Sequence, residues 1–151
     1  MHTRKAHTLV EMILVVVILA ALALVVVPRL QFGAQHRLEA EGVARKIVAD
    51  LRLTRRLAIS DAATNSKGFK LTMVGPGPYT GYEIENADTS ETLASHTIDA
   101  RVTCYGDNKF GFGPLGNISD QGHTQLTVSA EGRTFTITIV PATGIVKCVE
   151  H

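Results

Sequence analysis

Hydrophobic and polar positions divide the chain into three regimes. Residues 12–27, MILVVVILAALALVVV, form one uninterrupted apolar run of 16 residues. Extended back to Leu9 the stretch has 19 residues. As a helix it measures about 28 Å, which nearly matches a hydrocarbon core of about 30 Å. Residues 36–61 contain no proline, and Ala40, Val43, Ala44, Ile47, Leu51, Thr54 and Ala58 recur at steps of three and four. That spacing writes an apolar stripe along an amphipathic helix, which should face a sheet.

From Lys67 the period switches to two. Phe69-Leu71-Met73, Tyr82-Ile84, Ile98 with Val102, Leu126-Val128 and Phe135-Ile137-Ile139 alternate with polar residues, which predicts antiparallel strands. Glu131-Gly132 and Ala142-Thr143-Gly144 punctuate the last runs, so residues 125–149 are expected to form two successive hairpins. Residues 75–78 (GPGP) and 106–122 read as loops. The fold class expected is α+β: a long N-terminal helix, first hydrophobic and then amphipathic, packed on an antiparallel β-sheet head.

Composition sharpens this picture. Of 151 residues, 45% are hydrophobic and 19% charged, which excludes a wholly disordered chain. The net charge is +1, so the totals do not advertise a polyanion-binding protein. The distribution says more. Residues 29–56 carry seven basic and three acidic side chains, residues 57–151 six basic and ten acidic. Charge on the outer side of a helix is most simply solvated. Complementary docking in an assembly, or contact with phosphates through Arg52, Arg55 and Arg56, are the sharper uses. No aromatic side chain interleaves these arginines, as stacking on single strands would require.

The apolar run sets the expected compartment. His2, Arg4 and Lys5 precede it, as on the cytoplasmic flank of a membrane helix, although Arg29 follows it. A removed secretory signal would need small residues at a cleavage site beyond the run, and Val25-Val26-Val27-Pro28-Arg29 offers none. Glu11 stands at the edge of the run, where an acid in lipid calls for compensation.

Ala6-His7-Thr8-Leu9-Val10-Glu11 resembles the processing signal of type IV pilins and type II secretion pseudopilins. In that family a basic leader ends in a small residue, and the mature chain begins with an aromatic residue followed by Thr-Leu-(Val/Ile)-Glu. Here Ala6 stands in place of the usual Gly and His7 in place of the usual Phe. The resemblance implies cleavage between Ala6 and His7 and allows N-methylation of His7. It implies that Glu11, fifth from the new amino terminus, pairs with a neighbour's α-amino group in a filament, and that Pro28 bends the helix. Residues 51–59 (LRLTRRLAI), Phe112-Gly113-Pro114-Leu115-Gly116-Asn117 and Gly144-Ile145-Val146 are similar to the GspH/FimT branch of minor pseudopilins and minor pilins.

The domain organisation that follows is a leader at 1–6, a hydrophobic helix for membrane or filament core at 7–28, an amphipathic helix at 29–61 and a β-rich head at 62–151. The resemblance implies a single-pass protein of a bacterial inner membrane, amino terminus cytoplasmic and head periplasmic. Its implied partners are other pseudopilins or pilins, a prepilin peptidase, an inner-membrane assembly platform and exported proteins. The alternative is a minor pilin that binds DNA for uptake, against which the tail Lys147-Cys148-Val149-Glu150-His151 is not basic.

Catalytic chemistry finds little support. The six histidines lack paired metal spacing, and Asp107, Asn108, Asn117 and Asp120 share a loop without EF-hand spacing. No enzyme, cofactor or metal is expected. A periplasmic head leaves two states open for Cys104 and Cys148: free thiols, or a bridge whose loop of about 45 residues would contribute roughly 4 kcal/mol.

Overall fold

The computed structural model describes residues 9–120 and 122–151, without the side chains of 24–38. One helix, α1 (Leu9–Ser60), precedes eight strands: β1 (Phe69–Val74), β2 (Gly81–Asn86), β3 (Thr92–Thr97), β4 (Thr103–Gly106), β5 (Lys109–Phe112), β6 (Gln125–Ala130), β7 (Arg133–Val140) and β8 (Ile145–Glu150). The chain is α+β with antiparallel sheets. It divides into two compact units, residues 1–35 and 36–151.

In the first unit every described side chain of α1, from Leu9 to Ala23, is exposed. Leu9 is 75% exposed, Met12 58% and Leu22 56%. Among the described residues no helix is long and apolar enough to cross a membrane. The described side chains end four residues before the apolar run itself does, at Val27.

In the second unit, the stripe read from the sequence is the buried face of α1. Ala40, Ala44, Ile47, Leu51, Thr54 and Ala58 are fully buried, and Val48 joins them. Thr54 reconciles its hydroxyl with burial by donating to the carbonyl of Asp50 at 2.7 Å. The strands form two four-stranded sheets, ordered β3-β2-β1-β5 and β4-β6-β7-β8, where one sheet was expected. Period-two alternation points Phe69, Leu71 and Met73 of β1, Val128 of β6, and Phe135, Ile137 and Ile139 of β7 into one core shared with α1. Burying Leu51, Leu71, Phe110 and Ile137 contributes about 1.5–3 kcal/mol each.

Both C-terminal hairpins form, β6–β7 and β7–β8. At the first, Glu131 (φ 43°) and Gly132 (φ 80°) are both left-handed, the geometry that matches strand twist in a two-residue turn. Two expectations need correction. Ile98 and Val102 are buried but belong to no strand: they flank the turn between β3 and β4, where Val102 N–H donates to Asp99 O at 2.9 Å. Alternation was inferred there from two apolar residues four apart, a spacing that a buried turn also satisfies. Conversely, the segment read as loop at 106–122 contains β5, which pairs with β1 from Phe69↔Phe112 to Thr72↔Lys109. Its glycine-rich sequence, KFGF, masks a strand stabilised by two fully buried phenylalanines.

Candidate functional site

The arginines singled out in the sequence converge. Arg52, Arg55 and Arg56 line a groove of about 360 Å³ with Ile59, Gly144, Ile145 and Val146, between the C-terminal turns of α1 and the start of β8. The β7–β8 turn creates the fit. Gly144 has φ 64°, and a Cβ there would stand 1.9 Å from Gly116 O and 2.9 Å from Arg55 Nε. Only glycine lets the two backbones and the guanidinium approach so closely. Arg55 Nε donates to Gly116 O at 3.0 Å and to Thr143 O at 3.1 Å. Arg52 Nη2 donates to Val146 O at 3.3 Å. Arg56 is exposed and has no partner among the described residues.

None of the three arginines forms an ion pair among the described residues. Two guanidiniums are thus oriented by neutral carbonyls, with remaining N–H groups available to meet an anion. Two other cations are committed: Arg45 pairs with Glu41, and Arg133 with Glu41 at 3.5 Å and Glu150 at 2.9 Å.

Other expected sites are placed differently. Ala6 and His7 lie outside the described residues, as does the Pro28 side chain, while the backbone at Pro28 belongs to α1. Glu11 lies in the first turn of α1, exposed, where a carboxylate favours the positive end of the helix. Cys104 and Cys148 are both free. They sit on β4 and β8, the two edges of one sheet, with β6 and β7 between them. Three strand spacings of about 4.8 Å separate their backbones by roughly 14 Å, twice the reach of a disulfide. The bridged state is therefore excluded within this fold. Burial pushes the Cys104 thiol from 9.0 up to about 12, and burial also raises Cys148.

The acidic loop positions serve structure. Asp107 Oδ2 accepts from the backbone N–H of Thr124 at 2.6 Å and of Gln125 at 2.9 Å, while Asp120 pairs with Lys109 at 3.0 Å. Among the described residues no group of His, Cys, Asp and Glu could hold a metal.

One polar cluster was not foreseen. Tyr82 of β2 donates through Oη to Asp50 of α1 at 2.6 Å, and His96 of β3 lies 3.6 Å from the same carboxylate oxygen and 3.2 Å from Lys46 Nζ. These residues are distant in sequence and share no motif, so only the pairing of β2 with β3 beneath α1 assembles them. Burial first, and then the Asp50 contact, raise the Tyr82 pKa well above 10.0.

No family model, no curated protein and no solved structure matches this chain.

Proposed function

We propose that the chain is a prepilin-like subunit, a minor pseudopilin of a type II secretion pseudopilus, with a structural role in protein export. The observation that supports this reading most is the uncovered apolar helix: the residues from Leu9 to Ala23 expose aliphatic side chains all round, with Glu11 as their one carboxylate. A helix apolar on every side needs lipid or other helices around it. The sequence continues the apolar run to Val27, giving the length a bilayer demands.

In this reading a prepilin peptidase cleaves between Ala6 and His7 on the cytoplasmic side, and the mature amino terminus keeps its hydrophobic helix. The helix first anchors the chain in the inner membrane and then moves from lipid into a bundle of pseudopilin helices. There Glu11 meets the new α-amino group of a neighbour, and the pairing fixes register. The pilin-like arrangement, in which a long helix is apolar at its start and amphipathic where it carries a β-rich head, suits such a subunit. The head, with α1 residues 36–60 in its core, stands in the periplasm.

Intact mass of the membrane-extracted protein tests the reading. Loss of Met1 to Ala6, with or without one added methyl on His7, is the expected result; retention of the initiating methionine would overturn it. The alternative role in DNA uptake would use the same three arginines and is set against a protein ligand below.

A further inference from the structure

We propose that the groove between the end of α1 and the β7–β8 turn is a docking site for an acidic, aliphatic segment of a partner protein. Carboxylates of that segment meet Arg52, Arg55 and Arg56, and its apolar side chains rest on Ile59 and Ile145. The site lies wholly within the second compact unit and does not depend on the filament reading.

Three observations carry this. The first is uncompensated charge: three guanidiniums line one groove of about 360 Å³, and none has an ion-pair partner among the described residues. A salt bridge gained on docking therefore displaces only water. The second is order. Arg55 is held through Nε by two carbonyls, which leaves both terminal nitrogens of its fork for a carboxylate, and Arg52 is held by Val146 O. A guanidinium fixed in this way loses little conformational entropy when it binds, and its fork matches a carboxylate in a bidentate pair.

The third observation concerns the lining. Ile59 is 44% exposed and Ile145 50%, side by side with the arginines. Leu115, 88% exposed, neighbours Gly116, against which the Ile59 Cδ1 methyl packs. A surface alternating guanidinium and branched aliphatic groups complements a chain that alternates carboxylate and aliphatic groups.

Nucleic acid fits less well. Duplex DNA carries one charge per about 1.7 Å of axis and rewards a continuous cationic track. Lys147 of β8 is exposed nearby, but Arg45 and Arg133 are engaged by Glu41 and Glu150, so carboxylates break the cationic surface on that side. The groove also contains no aromatic side chain for stacking on bases.

The test uses the full chain in detergent and fluorescence anisotropy of a labelled peptide alternating Glu and Leu, with a Gln-Leu peptide and a short DNA duplex as comparisons. The acidic peptide should bind, and the Gln-Leu peptide should bind at least about tenfold more weakly, the cost of losing one charge-assisted contact. Arg56→Gln changes an exposed side chain that makes no hydrogen bond or ion pair among the described residues, and should weaken the acidic peptide by about tenfold. Ile145→Ser should weaken it several-fold. Absence of peptide binding at low ionic strength would overturn the proposal, as would binding indifferent to Arg56→Gln. Tighter binding of the duplex than of the peptide, unaffected by Ile145→Ser, would replace it with a phosphate-contact site.

Discussion

Tyr82 Oη and Asp50 Oδ2 lie 2.6 Å apart, and this one hydrogen bond ties the inner strand β2 to the C-terminal part of α1. Tyr82 is 1% exposed, so its hydroxyl has exchanged water for a single carboxylate. The bond is charge-assisted, which places it among the stronger polar contacts in a fold.

Removing either end should have different costs. Tyr82→Phe deletes the donor and leaves a carboxylate that is 16% exposed, still within reach of water and of His96; about 1 kcal/mol of stability should be lost. Asp50→Ala leaves a buried hydroxyl without its acceptor and should cost more, about 1–3 kcal/mol. Denaturant midpoints of the detergent-solubilised chain would show the order, and equal effects would contradict it.

The same pair sets an alkaline limit. The folded Tyr82 pKa is raised above 10.0, so the unfolded state loses the phenolic proton first. The stability this contributes is complete below the unfolded value and disappears as pH rises beyond it. Cys104, raised from 9.0 to about 12, acts in the same direction in the window between those values. Stability should therefore fall as pH climbs above about 9, and Tyr82→Phe should flatten the part of the decline above about 10. A wild-type profile level through that range would be inconsistent with both burials.

The two thiols should also separate by reactivity. Cys148 is exposed at the edge strand β8, whereas Cys104 is fully buried and its thiolate strongly disfavoured. Only the thiolate attacks an alkylating reagent. Iodoacetamide on the native protein near pH 8 should add one label, mapped to Cys148, and a second label should follow denaturation. Two protected thiols released by reductant would instead reveal a bridge, which the intervening β6 and β7 forbid.

Much of this architecture was legible because burial enforces periodicity. The stripe from Ala40 to Ala58 could be read at helical spacing, and Phe135-Ile137-Ile139 between threonines at strand spacing, since each element has one wet face. Strand β5 was hidden because Gly111 and Phe112 are buried in succession, so no alternation is left to see. Ile98 and Val102 misled for the opposite reason, being apolar anchors of a turn. The arginine groove was half visible. The sequence gathered Arg52, Arg55 and Arg56 within five residues, but Gly116, Thr143 and Val146, whose carbonyls orient two of them, come from far along the chain.

Glycines provide an internal contrast between strain and clash. Gly68 has φ 75°, and a Cβ there would lie 1.9 Å from the Phe112 carbonyl oxygen, with Asn65 Oδ1 holding the Gly68 amide at 2.8 Å. Gly132 has φ 80° but nothing within 4 Å. Gly132→Ala should cost only the left-handed backbone, about 1 kcal/mol. Gly68→Ala must also push β5 away from the start of β1 and should cost more than about 2 kcal/mol. Thermal midpoints that fall together would show that the Gly68 contact relaxes freely.

The proposed filament role makes a prediction that separates assembly from folding. Glu11 lies in the first compact unit, whereas the core of the head is built wholly from residues 40–146 in the second. Glu11→Gln should therefore leave the head unchanged, with Cys104 protected and Cys148 labelled as in the wild type. Neutralising an acid at the edge of an apolar helix should make membrane insertion easier, not harder. What the substitution removes is the partner for a neighbour's α-amino group, so crosslinking of the variant to other subunits in assembling cells should drop by about tenfold or more. Glu11→Asp, which keeps the charge on a shorter side chain, should recover part of it. Undiminished crosslinking of Glu11→Gln would show that the carboxylate does not set register, and a loss of Cys104 protection would trace the defect to folding.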